Sequence, residues 1–198
     1  LDPNNPQTHF NRGRLYADAR VWDRADADFQ MAIRMDPAFV DAYVERGNIW
    51  IQKGNYSWAI EQFDLALARD DSRADAHLGR GIARRALREL DAANEDVAAA
   101  LFFDPNYAEA YYNQGLVYKK IHKYSESIVS LQSALKIKSD YIDAYFDLGQ
   151  VFVTAGKFEE AIKNFEKVIK LKPDFSEAYN NIFFTLQYIQ KNNHEFFL

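Results

Sequence analysis

Apolar and polar positions along this chain follow the period of an amphipathic helix, and the whole pattern recurs at one fixed interval. The clearest copy reads Ala144-Tyr145-Phe146-Asp147-Leu148-Gly149-Gln150-Val151-Phe152, then Gly156-Lys157-Phe158-Glu159-Glu160-Ala161, and closes with Phe165, Val168 and Pro173. With Gly149 as the eighth position, full units fall at 6–39, 40–73, 74–107, 108–141 and 142–175. The eighth position then reads Gly13, Gly47, Gly81, Gly115 and Gly149, and the twentieth Ala25, Ala59, Ala93, Ser127 and Ala161. A glycine inside a helix costs about 1 kcal/mol relative to alanine, so five at one spacing call for a packing reason.

Larger core positions share this register. Position 4 holds His9, Tyr43, His77, Tyr111, Tyr145 and Tyr179; position 24 holds Phe29, Phe63, Val97, Leu131 and Phe165. Positions 4, 8 and 11 share one face of a first helix, while 17, 20, 24 and 27 share one face of a second. The spacing predicts helices over 7–19 and 22–35, 40–53 and 56–69, 74–87 and 90–103, 108–121 and 124–137, 142–155 and 158–171. A last helix is predicted over about 176–190, and no strand. Pro37, Pro105 and Pro173 stop the second helices, with Asp71 and Ser139 in their place elsewhere. The third unit departs most: Leu87-Arg88-Glu89 has no glycine, and Arg84 and Val97 replace aromatics, so the loosest packing is expected there.

This arrangement resembles the tetratricopeptide repeat, a helix–turn–helix unit of about 34 residues, along nearly the whole chain. The resemblance implies an all-α, right-handed α-solenoid forming a single repeat domain over 1–198, in which stacked neighbours bury what one unit cannot. Pro3 lies one full period before Pro37, so the chain is expected to start at a repeat boundary, as a fragment would.

Composition excludes several classes of function. With no cysteine there is no disulfide framework, thiolate metal site or thiol switch, which suits a reducing compartment; the expected location is cytoplasmic. A net charge of −5 argues against a general nucleic-acid binder, and no apolar run reaches membrane-spanning length. Residues 1–107 hold twelve Arg and one Lys, whereas 108–198 hold eleven Lys and no Arg. The sorting reads either as drift among the repeats of one gene or, since both cations serve equally on exposed helix faces, as two arrays joined between Arg88 and Lys119, a chimera or designed fusion, which is the preferred reading.

No catalytic constellation is legible, and neither cofactor nor metal is expected. His9 and His77 stand where tyrosines stand in other units, and read as packing residues. Asp41, Asp75, Glu109, Asp143 and Glu177 form an acidic row at position 2, either a stripe for a basic peptide or first-turn carboxylates facing the helix dipole. Arg12, Arg46 and Arg80 at position 7 are expected to lay their stems on apolar surface and aim the guanidinium at a neighbour.

The family resemblance implies a concave groove lined by positions 2, 5, 6, 9, 12 and 13 of the first helices. The candidate groove residues are Phe10, Asn11, Glu45, Asn48, Tyr112, Asn113, Phe146, Asp147 and Asn181. Amides there suit an extended peptide backbone, and the apolar row suits its side chains. The implied function is a non-catalytic scaffold binding a protein or peptide. Only Asn48 matches the clamp by which some family members bind acidic chaperone tails; Val44, Gly79, Asp143 and Asp147 depart from it. A second likeness lies at the end. Ala178-Tyr179-Asn180-Asn181-Ile182-Phe183-Phe184-Thr185-Leu186-Gln187-Tyr188 is similar to the segment joining repeats to the catalytic region in O-linked N-acetylglucosamine transferase relatives, and Asn11, Asn113 and Asn181 resemble their asparagine ladder. That likeness implies a substrate-recognition arm.

Phe183 occupies the glycine position of the last helix, where a normal second helix would clash. Asn192-Asn193-His194 is expected to break this helix. Phe183, Phe184, Tyr188, Phe196, Phe197 and Leu198 then form an apolar edge, expected to fold back or to join two chains as a homodimer.

Overall fold

The computed structural model describes residues 5–195, with side chains through Lys191. Among these residues every regular element is an α-helix, and the fold is all-α. By contacts the chain divides into two compact units, residues 1–105 and 106–198.

The first unit contains three helix pairs. They are α1 (Pro6–Asp18) with α2 (Trp22–Met35), α3 (Val40–Gln52) with α4 (Tyr56–Leu67), and α5 (Ala74–Ala86) with α6 (Leu90–Phe103). The second unit contains α7 (Ala108–Lys120) with α8 (Tyr124–Ile137), α9 (Ile142–Thr154) with α10 (Phe158–Leu171), and the single α11 (Ser176–Glu195). Within each unit the second helix of a pair packs on its own first helix, and also on the next first helix where one follows in that unit.

The helix bounds follow from the residues. Asn5 starts α1 by accepting from the Gln7 N–H at 2.9 Å, and Asn55 starts α4 by accepting from Trp58 N–H. At each of the five turns within a pair, position 15 takes the left-handed conformation: Arg20, Gly54, Arg88, His122 and Gly156, with φ between 57° and 73°. Only two are glycine, so the turn of the third repeat keeps the common geometry without one, at the steric cost a side chain carries there. α11 corrects its expected end. It runs through Asn192, Asn193 and His194 to Glu195, because asparagine and histidine cost only a few tenths of a kcal/mol each and neither Gly nor Pro intervenes.

The small-residue spacing is explained by rings. Gly13 faces Phe29, Gly47 faces Phe63, Gly115 faces Leu131 and Gly149 faces Phe165, each so close that a Cβ would lie within 2.5–2.7 Å of the ring or branch. Phe29, Phe63 and Phe165 are fully buried as a result. In the third repeat Val97 replaces the ring and stands 3.1 Å from such a Cβ. There the smaller side chain is accompanied by an ion cluster. The Asp96 carboxylate, 3 % exposed, receives Arg80 at 2.6 Å and Arg84 at 2.9 Å.

Candidate functional site

The first helices of each unit carry the residues that could meet a ligand, and the ionisable ones are mostly tied to neighbours. Arg12 donates to Asp28 at 2.6 Å, Arg46 to Asp26 at 2.7 Å and Gln62 at 3.2 Å, and Arg80 to Asp64 and Asp96. The hydrogen bond from Arg12 holds the Asp28 carboxyl below the usual carboxylate range, against a smaller opposing effect of burial. Arg73 bridges two acids of the position-2 row, Asp41 and Asp75, at 2.6 Å each, and these bonds raise its guanidinium further above its ordinary value. His77 Nε2 meets the Asp71 carbonyl at 2.9 Å, six residues back. Tyr43, Tyr145 and Tyr179 direct their hydroxyls to the carbonyl six residues back in the same way, so His77 fills a tyrosine's structural place.

The position-5 row divides. Phe10 is buried against Phe29 and Phe39, a correction to its expected place in the groove. Phe146 is half-buried between Phe165 and Phe175, and Tyr112 lies 4.9 Å from the Tyr141 ring. The common cause is an aromatic residue at position 34, immediately before the next first helix, whose ring covers position 5. The aromatics Phe39, Tyr107, Tyr141 and Phe175 all fall at this position of the register, the signal by which sequence reading could have found this pairing.

The position-6 row divides as well. Asn11 is exposed and accepts from Gln7; the half-buried Glu45 accepts from the exposed Asn48, at position 9, at 3.4 Å. Asn113 is buried, a second correction, with its amide on the Glu109 carbonyl at 2.9 Å. Asn181 makes the same bond to Glu177 at 2.7 Å but stays partly open.

In the second unit these residues converge. Asp147 accepts from Tyr112 Oη at 2.9 Å and from Lys119 Nζ at 2.8 Å, and Lys119 also reaches Gln150 at 2.6 Å. Burial, with the charge and hydrogen bond of Asp147, pushes the Tyr112 phenol well above its ordinary value. Tyr141 is raised by burial and by the charges of Glu109, Asp143 and Asp147. Toward the other end of the same helices, α9 and α11 enclose a pocket of about 460 Å3 with Val153, Thr154, Phe158, Asn181, Phe184 and Tyr188 in its walls. Phe184 and Tyr188, expected at an edge, thus share a pocket with Asn181. Phe183 is 57 % exposed and meets Phe184 edge to face, outside that pocket. Phe196, Phe197 and Leu198 lie outside the described residues.

Among the described residues no helix is long and apolar enough to cross a membrane.

No curated protein matches the chain. Among solved structures, the chain is similar to PilF of Pseudomonas aeruginosa, at 14% identity and a TM-score of 0.84 over 95% of this chain and 86% of that one. It is also similar to TTC0263, a thermophilic TPR protein of Thermus thermophilus (22% identity, TM-score 0.76, 92% and 99% covered). A third is YrrB, described as a TPR protein with an unusual peptide-binding site (21% identity, TM-score 0.68, 90% and 92% covered). These likenesses show the fold. Sequence models of the tetratricopeptide repeat match residues 10–74 and 50–108, 123–156 and 142–175, the last being the fifth unit of the register. With half of the chain matched by one of these models, a helix pair of one geometry in every unit and glycines seated under buried rings, the chain belongs to the tetratricopeptide repeat family, whose fold is that of protein-interaction scaffolds.

Proposed function

We propose that this chain is a non-catalytic scaffold that grips a peptide or a helix on the exposed sides of its first helices. The observation that carries this reading is the pocket between α9 and α11, where aromatic rings stand beside an amide and hydroxyls. Such a mixture suits side-chain burial together with main-chain hydrogen bonding. YrrB, of the same fold, is described as having a peptide-binding site, which accords with it. A scaffold rather than an enzyme is supported by the ionisable side chains. His77 serves packing, and Asp28 and Asp96 are committed to arginines.

Photo-crosslinking tests the reading. A benzophenone side chain at Asn48, Gln150 or Thr154 on first helices should capture a protein partner from a lysate of the source cells. The same group at the exposed Glu61 or Glu166 on second helices should not. Capture from the second-helix positions alone would place the ligand on the second helices and end this reading.

A further inference from the structure

We propose that the pocket between α9 and α11 is the anchor site for an aromatic side chain of an extended peptide, with a lysine or arginine of that peptide about three residues away. This rests on the scaffold reading above and names the chemistry of its ligand. The pocket, about 460 Å3, has ample room for one ring and its flanking backbone. Phe158 and Tyr188 already pair at 5.0 Å, and Phe184, 65 % exposed, supplies a further ring face. An aromatic guest gains both area burial and edge or offset contacts there.

The polar groups of the wall are held in one sense. Thr154 and Thr185 donate their hydroxyls to Gln150 and Asn181 carbonyls of their own helices, which leaves each hydroxyl oxygen able to accept. Asn181 spends an amide hydrogen on Glu177, which leaves Oδ1 as an acceptor. Acceptors of this kind match the N–H groups of a peptide main chain.

Charge fixes the second feature. The amino-terminal turns of α9 and α11 carry Asp143 and Glu177, both exposed and neither held in an ion pair among the described residues, and Asp147 lies one turn on. Lys119 engages Asp147, and Lys172 lies over the Phe175 ring, so Asp143 and Glu177 remain to meet a cation. From Glu177 to Phe184 is seven helical residues, about 10 Å at about 1.5 Å per residue. An extended peptide spans that distance in about three residues.

The test uses fluorescein-labelled nonapeptides of Gly and Ser carrying one Phe and one Arg three residues apart, in both orders, read by fluorescence polarisation on the full chain. Binding is expected for at least one order. Phe→Ala in the peptide should weaken it at least tenfold, and Arg→Glu at least fivefold. In the protein, Phe184→Ala and Thr154→Arg, both at exposed positions, should weaken it at least tenfold with the helical circular dichroism unchanged. Asp143→Asn with Glu177→Gln should weaken it several-fold and flatten its salt dependence. Absence of binding to both orders, or affinity indifferent to Phe→Ala or to Phe184→Ala, overturns the proposal. So does a dimer in light scattering that Phe184→Ala dissolves, since a second copy would then occupy the site. Crosslinks from Asn48 and Gln150 that persist in any of these cases leave the scaffold reading standing, so the two failures are told apart.

Discussion

A Cβ placed on Gly149 would lie 2.5 Å from Cε1 of Phe165, closer than non-bonded carbons come. The ring is fully buried and cannot swing aside into solvent. Gly149→Ala should therefore cost about 1–3 kcal/mol, the usual range for overpacking a core. Gly81→Ala should cost less, because Val97 leaves 3.1 Å there. Urea unfolding of the two variants by circular dichroism checks the order; equal losses would mean that the rings do not set the helix spacing.

The turns give the opposite sign. Arg88 holds φ at 65°, a conformation that costs a side-chain residue about 1–2 kcal/mol. Arg88→Gly should raise stability by up to about 1 kcal/mol, part of the gain being lost to the freer unfolded chain. Gly156→Ala, at φ 73° with open space around it, should lower stability by about 1 kcal/mol through the backbone alone. Thermal melts of both variants measure this.

Asp96 is 3 % exposed, while Arg80 and Arg84 retain 18 % and 23 %. The arginines can turn toward water if the acid is lost, whereas the carboxylate cannot. Arg80→Ala with Arg84→Ala should cost about 3 kcal/mol or more, the range for stranding a buried charge. Asp96→Leu should cost less. The reverse order in denaturant titrations would show that the arginines, not the acid, depend on the cluster.

Two groups predict opposite pH responses. Tyr112 has its phenol raised by burial and by Asp147, so above about pH 10 the unfolded chain loses this proton before the folded one does. Stability from this group is complete below about pH 10 and falls as pH rises beyond it. Tyr112→Phe should flatten that alkaline decline, while costing about 1 kcal/mol at neutral pH for the hydrogen bond to Asp147. Asp28 has its pKa lowered, so its contribution is present above the ordinary carboxylate value near 4 and fades as pH falls through the lower folded value. The stability difference between wild type and Arg12→Gln should shrink as pH drops below about 4. Stability measured from acid to alkaline pH for both variants checks the two signs.

The residues alone determined the register of the repeats, with the five glycines at one position and the larger apolar residues at another. They also set helix bounds that agree within two residues through α10. Each of these is read from periodicity inside one repeat, where an apolar stripe, a small residue and a turn act over a short length of chain. Other features depended on what a distant element brings. Phe10 becomes core because the Phe39 ring, arriving from the loop just before α3, lies over it. Arg46 chooses Asp26 of the preceding repeat, and Arg73 spans Asp41 and Asp75, pairings for which one unit holds only half the partners. The pocket is of the same kind. Val153, Phe158, Asn181 and Phe184 meet only because α9 and α11 are brought side by side, with Phe158 entering from the adjoining α10. A shared cavity has no local periodicity, so packing alone placed those side chains around one space.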